Sequence, residues 1–252
     1  MEATIGVTLS FGAGLIAGVT NALAGGGTFV TLPSLLATGM SAAAANATSN
    51  VALLPGAATS SWSFRDELQP IGGASVKLLA AITFVTGLAG SALLVLTPSK
   101  VFDQIVPWMV LYAFVVLAIG PRLSLWLRAR IRIRVGTLMA VQALLGIYGG
   151  YFGGGVGLMT TATYGMLAGH TPREMFAIRT LMLAVANGAA AIIFILTGLV
   201  KWSVGLPMLV GSAMGGVVGA RIGRLLPAIA IRLWTLSITA GTTMIFFWHA
   251  YG

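Results

Sequence analysis

Residues 24–33 read AGGGTFVTLP and residues 152–161 read FGGGVGLMTT, two glycine triplets that each interrupt an otherwise uncharged apolar stretch. Consecutive glycines are poor helix formers and adopt backbone angles closed to other residues. An apolar segment that carries such a triplet therefore reads as a helix broken in its middle. The pieces after the triplets, 28–38 and 156–168, are short. At about 1.5 Å per residue neither crosses a hydrocarbon core of about 30 Å.

Working outward, uncharged apolar runs recur at 5–24, 28–38, 42–62, 72–96, 104–120, 135–152, 156–168, 174–198, 203–220 and 229–249. Apolar residues make up 58% of the 252-residue chain and charged residues 8%, with a mean hydropathy of +0.98. Too few charges remain to cover a soluble fold, so the chain reads as an all-α polytopic membrane protein whose partner is the lipid bilayer. The runs are too long, and alternate too little, for barrel strands. Residues 5–24 follow no Lys or Arg and read as a retained first span, not as a cleaved leader. With no cysteine and only His170 and His249, no metal site, catalytic residue or cofactor is expected. An intramembrane serine hydrolase would need Ser and His facing each other at depth, and both histidines lie at segment ends, so the chain does not read as an enzyme. The net charge of +9 sits in short loops beside apolar runs, which is how a cytoplasmic membrane face reads, and not as nucleic-acid binding.

Sliding the second half back by 128 to 130 residues lays Phe152-Gly153-Gly154-Gly155 on Ala24-Gly25-Gly26-Gly27, Gly169-His170-Thr171 on Gly39-Met40-Ser41, and Ala177-Ile178-Arg179-Thr180 on Ala47-Thr48-Ser49-Asn50. The order of triplet, short helix, turn and long helix repeats, so two copies of one unit are expected. They divide into a first transmembrane repeat at 1–120, an Arg-rich cytoplasmic linker at 121–134 and a second repeat at 135–252. If each broken segment runs straight across, the basic residues split eight inside to six outside; if each turns back as a re-entrant hairpin, only Lys100 and Lys201 of the 14 stay outside. The positive-inside bias favours the second case, with inverted repeats and both termini outside.

A helix broken at the midplane leaves backbone N–H and C=O groups that cost several kcal/mol each unless something satisfies them. The helix starting after each triplet points the positive end of its dipole at that spot, which suits an anion. The candidate substrate-binding residues are Gly25, Gly26, Gly27, Thr28, Asn46, Ser49, Asn50, Gly153, Gly154, Gly155, Arg179 and Thr180. Hydroxyls and amides can hold an oxyanion and still release it. Arg179 lies five residues into an apolar run, where it either serves the site or snorkels back toward Arg173 and Glu174 at the headgroups. Asn21 and Asn187 are weaker candidates. Gly12, Gly14, Gly18, Gly211, Gly215, Gly216 and Gly219 read as close-packing residues. Asp66, Glu67, Asp103 and Glu174 all sit at segment ends, leaving no buried carboxylate as a proton relay. An anion leaving an inside-negative cell needs none, since the potential drives it outward, so export is the expected direction.

The chain resembles the sulfite exporter TauE/SafE family, also called the 4-toluene sulfonate uptake permease family. The resemblance rests on Gly12-Ala13-Gly14 with Gly18, on Ala24-Gly25-Gly26-Gly27-Thr28 leading to Leu32-Pro33, on Ala47-Thr48-Ser49, and on the second triplet Gly153-Gly154-Gly155. It covers nearly the whole chain. It implies a secondary transporter moving a small anion (sulfite, a sulfonate or a related organosulfur or organic anion) across the bacterial inner membrane by alternating access. A homodimer is open on this reading, as is an accessory membrane subunit without transport of its own. The second copy departs from the first, with Thr161 for Pro33 and Arg179 for Ser49.

Overall fold

The computed structural model describes residues 2–128, 135–168 and 175–251. Its helices are α1 (Glu2–Ala24), α2 (Thr28–Leu36), α3 (Ala42–Ser63), α4 (Val76–Leu96), α5 (Ser99–Arg128), α6 (Val135–Tyr151), α7 (Val156–Ala168), α8 (Phe176–Leu196), α9 (Trp202–Leu225) and α10 (Ala228–Tyr251). Among the described residues there is no strand, only a 3-10 turn at Arg65–Glu67 and one isolated bridge between Ile71 and Ala74. Six helices (α1, α4, α5, α8, α9 and α10) are long and apolar enough to cross a membrane. The chain is thus an all-helical, multi-pass membrane protein. α3 is also long, at 22 residues, but Asn46, Thr48, Ser49 and Asn50 lower its hydropathy. It can afford them because all four are buried inside the bundle. Outward-facing apolar side chains such as Leu96, Leu196, Leu225 and Trp248, each more than three-quarters exposed, form a surface that only lipid would leave uncovered.

Every expected segment is a helix, and the bounds differ for local reasons. α4 starts at Val76 and not at 72, because Gly72 and Gly73 take positive φ in a tight turn and Ser75 caps the helix by accepting from Leu78 N. α9 continues past Arg221 and Arg224 to Leu225, stopping before Pro227. α5 begins five residues early and runs on to Arg128, so the first part of the expected linker 121–134 is helix, while 129–134 lie outside the described residues. His170, Arg173 and Glu174 also lie outside them.

The triplets end α1 and α6 as expected: Gly25 has φ +76°, Gly153 +71° and Gly155 +80°, a region that a side chain makes costly. Pro33 inside α2 cannot donate to the carbonyl one turn back, that of Phe29. Thr242 of α10 donates to that carbonyl instead, at 2.7 Å. An orphan group created by the sequence of one helix is thereby met by another helix of the bundle.

Small residues set the packing. On α1 and α9, Gly14 sits against Met208, Gly18 against Ser212, Gly211 against Phe11, Gly215 against Leu15 and Gly219 against Val19, so closely that a Cβ would collide with backbone. Gly216 approaches Gly56 of α3 in the same way. Six of the seven glycines read as packing residues do pack; Gly12 faces open space. The α1–α9 contacts advance together, so these helices run parallel, and α3 joins them, with Thr48 at Lys201, Gly56 at Ser212 and Ser60 at Gly216. α4 and α6 repeat the arrangement, Gly146 against Thr83 and Gly150 against Gly87. α3 and α8 run opposite ways: Phe64, just past the end of α3, meets Phe176 at the start of α8, and Leu54 meets Gly188. Exchanging α1–α5 with α6–α10 turns the neighbours α1·α9 into α6·α4, α3·α9 into α8·α4 and α5·α7 into α10·α2. The pairs α3·α8 and α5·α10 map onto themselves.

Candidate binding site at the two glycine breaks

The breaks face each other at the centre of this arrangement. Gly25 lies against Gly157 of α7, and a Cβ on either would collide with the other's Cα. Phe29, in the first turn of α2, touches Gly26 and Gly155, and its ring is 6.5 Å from that of Phe152. Gly153 lies against the Asn50 amide. Gly25, Gly26, Gly153, Gly155 and Asn50 are thus brought to one place, although 128 residues separate the triplets in sequence. All twelve residues singled out in the sequence are buried.

Breaking a helix frees the carbonyls of its last turn. At the end of α1 they are met by Arg179, whose guanidinium donates to Ala22 O at 2.9 Å and also to Leu23 O. At the end of α6, Asn46 Nδ2 donates to Tyr151 O at 3.0 Å. Each broken end is therefore capped by a side chain from α8 or α3, the long helix of the other half. A cation also suits the negative end of the α1 dipole. Arg179 is 4% exposed and stacks 3.8 Å above the Phe176 ring, so it does not snorkel to the headgroups. Its Nε remains unpartnered.

The other polar groups bind the breaks to α3. Asn21 Oδ1 accepts from Gly27 N at 2.6 Å, spanning the first break. Thr31 of α2 and Ser49 of α3 share a hydrogen bond at 2.5 Å. Asn50 Nδ2 donates to Asn46 O at 3.0 Å. Thr180 is spent locally, donating to Phe176 O at 2.9 Å. Thr28 is buried at the start of α2. Among the described residues, the buried side-chain atoms left without a partner are Asn21 Nδ2, Asn50 Oδ1, Thr160 Oγ1, Arg179 Nε, Asn187 Oδ1 and, on α10, Arg232 Nε. Native proteins rarely leave such groups bare, and Asn21, Asn50 and Arg179 each also contact one of the two breaks. Thr31 and Thr160 are missed by the sequence reading; the signal for Thr31 is its spacing of three from Thr28, which puts both on one side of a short helix.

Among the described residues no cluster of acidic or imidazole side chains could hold a metal ion. Asp66 and Glu67 lie in the 3-10 turn and Asp103 in the second turn of α5. A cavity of about 300 Å³ lies at Leu36, Ala42, Lys100, Asp103 and Phe246, and one of about 140 Å³ at Phe64, Glu67, Phe176, Gly223 and Arg224. The two flank the molecule at opposite ends of α3, and neither touches the triplets.

The family model for Sulfite exporter TauE/SafE matches residues 10–245, a span that contains both breaks and all twelve candidate substrate-binding residues. The chain belongs to the TauE/SafE family. It is 30% identical over 208 residues to the Probable membrane transporter protein YfcA of Escherichia coli K12, covering 82% of this chain and 77% of that one. A Probable membrane transporter protein of Haemophilus influenzae is 28% identical over 220 residues, covering 86% and 84%. The Probable membrane transporter protein ORF9 of a Sinorhizobium species is 29% identical over 214 residues, covering 84% and 80%. No solved structure matches significantly. The chain is a membrane transporter of this family, and these relatives are named as membrane transporters.

Proposed function

We propose that the chain carries a small anion, such as sulfite, a sulfonate or a related organosulfur or organic anion, out across the bacterial inner membrane by alternating access at the two glycine breaks. The observation that carries this reading is the meeting of Gly25 with Gly157 amid buried polar atoms that have no protein partner. The Thr28 N–H, the first N–H groups of α7 and the hydroxyls of Thr28 and Ser49 supply the site, and the Asn50 amide joins them on giving up its bond to Asn46 O; Gly26, Gly27, Gly154 and Thr180 shape it; Asn46 and Arg179 hold the helix ends that frame it. The Arg179 Nε–H, beside the end of α1, is a cationic donor left without a partner.

The same reading takes the halves as inverted repeats, each with a re-entrant hairpin. Three observations support it: the neighbour pattern survives exchange of the halves, α3 and α8 run opposite ways, and Thr31 meets Ser49 across the 37–41 turn, which sends α2 back along α3. Rocking one half against the other would then open the breaks to each face in turn. The absence of carboxylates beside the breaks, among the described residues, favours downhill export.

The test is thermal unfolding of the detergent-purified protein against sulfite, sulfate, thiosulfate, small sulfonates and small carboxylates. A ligand that binds only the folded state, at about 100 times its Kd, adds roughly 2.7 kcal/mol of stability. A selective upward shift with one sulfur oxyanion or sulfonate, followed by its flux in proteoliposomes, is the expected result. No shift with any anion and no flux would overturn the reading in favour of an accessory subunit.

A further inference from the structure

One stacked row of side chains joins the smaller cavity to the first glycine break. Arg224 of α9 lies 4.9 Å from the Phe64 ring, Phe64 and Phe176 are 5.5 Å apart, and Arg179 lies 3.8 Å over Phe176 while holding the last carbonyls of α1. We infer that this row is the gate on the arginine-rich face, and that the cavity in front of it is a docking site for a small oxyanion on its way to or from the breaks.

Four features argue for it. The two rings are 2% and 7% exposed, so they close the way from the cavity to Arg179. The cavity, at about 140 Å³, is some ten times the roughly 10–15 Å³ needed to seat one water. Its wall carries one cation, Arg224, whose guanidinium fork matches an oxyanion. That cation is held by Glu67 at 3.3 Å and by Ser63 O at 2.8 Å, and both ionic side chains are 54% exposed. An exposed pair is weak, so an arriving anion can take Arg224 from Glu67. Losing Glu67 frees Arg224 to move off Phe64, and the Phe64 ring, no longer held between Arg224 and Phe176, is then free to turn out of the way to Arg179. The row draws one member, Phe64, from the first half and three, Arg224, Phe176 and Arg179, from the second, so any rocking of the halves must shear both contacts of Phe64.

The docking half of the inference rests on the anion-carrier reading; the gate does not. The chain has no cysteine, so a single Ser49→Cys substitution, nearly isosteric and fully buried at the break, reports access. Its labelling by a charged, membrane-impermeant methanethiosulfonate is measured in inside-out vesicles and in spheroplasts. Adding Phe64→Ala or Phe176→Ala should speed labelling about tenfold from the arginine-rich face alone, as expected when a closed state loses its plug. Glu67→Gln, an exposed change that spares the core, should speed it about threefold by the same population shift. Methanesulfonate, a sulfonate that does not react with the label as sulfite would, should slow labelling in the Ser49→Cys protein, and slow it less when Arg224→Gln is added. Equal acceleration from both faces, or none in any variant, would overturn the gate. A working gate with no effect of methanesulfonate at any concentration would overturn the docking site while leaving the gate.

Discussion

The two glycine breaks occupy matching places in the two halves and solve the same problem with different chemistry. At the first, a charged side chain caps α1, α2 has nine residues and a proline, and Thr242 from α10 repairs the carbonyl that proline leaves bare. At the second, a neutral amide caps α6, and α7 has 13 residues. Tyr164 of α7 then donates to Gln142 at 2.5 Å, and Gln142 to Thr83 at 2.6 Å, a fully buried chain that ties α7 to α6 and α4. The first half offers Gly14 and Leu36 at the positions 128 residues earlier, with no such chain, and Leu36 borders the larger cavity. Both breaks are capped from the other half; beyond the caps, the first is tied within its own half by Asn21 to Gly27 and by Thr31 to Ser49 and from outside by Thr242, while the second is tied through Tyr164 and Gln142 to α6 and on to Thr83 of the first half. The geometry that brings the breaks together is alike in the two halves, and the bonds that hold each one differ because any donor with the right reach serves.

The largest effect that tests this comparison falls where the breaks touch. Gly25→Ala and Gly157→Ala should each lose about 3 kcal/mol or more, because both add a methyl against backbone and Gly25 also needs positive φ. Thermal unfolding of the two purified variants checks it, and normal stability of Gly157→Ala would mean that the contact is loose. Next come the caps. Arg179→Ala should cost about 3 kcal/mol and Asn46→Ala about 1–2 kcal/mol, since bonds from charged donors are worth more than neutral ones and two carbonyls are abandoned against one. Equal losses in denaturant unfolding would erase the distinction between a charged and a neutral cap. Arg179→Ala is also expected to reduce flux, but its stability loss must be measured beside the flux, because the residue positions α1. The smallest effect concerns the proline. Thr242→Val should cost about 1 kcal/mol by leaving Phe29 O bare. The double variant with Pro33→Ala should recover that loss, since the restored N–H reaches the same carbonyl; a purely additive cycle would show that the repair is not the reason for Thr242.

Much of this was legible in one dimension. Ten helices, the two breaks and the packing glycines follow from local rules: charge ends a span, a glycine triplet ends a helix, and small residues spaced along a helix admit a close neighbour. The bounds slipped where local rules are weakest, as at Arg221 and Arg224, which read as a stop but prolong α9 because arginines at a membrane edge reach solvent without ending the helix. The site was legible as a set of residues and illegible as a set of bonds. Arg179 read as either a site cation or a headgroup anchor, and became a cap for a helix 157 residues away in sequence. Asn46 did the same for α6, at a separation of 105. Thr180, expected to face the site, turned its hydroxyl to its own helix.

By itself the sequence determined that the chain lives in lipid, is helical, breaks twice and is built from two like halves, because hydropathy, glycine content and repetition act over a few residues and need no partner. Only the tertiary structure decided that the breaks meet each other, which side chain caps which broken end, and that aromatic rings lie between the smaller cavity and Arg179. Those outcomes depend on which donor and which acceptor the packed helices bring within hydrogen-bond reach, and an unsatisfied carbonyl in an apolar bundle accepts from whatever part of the chain arrives beside it.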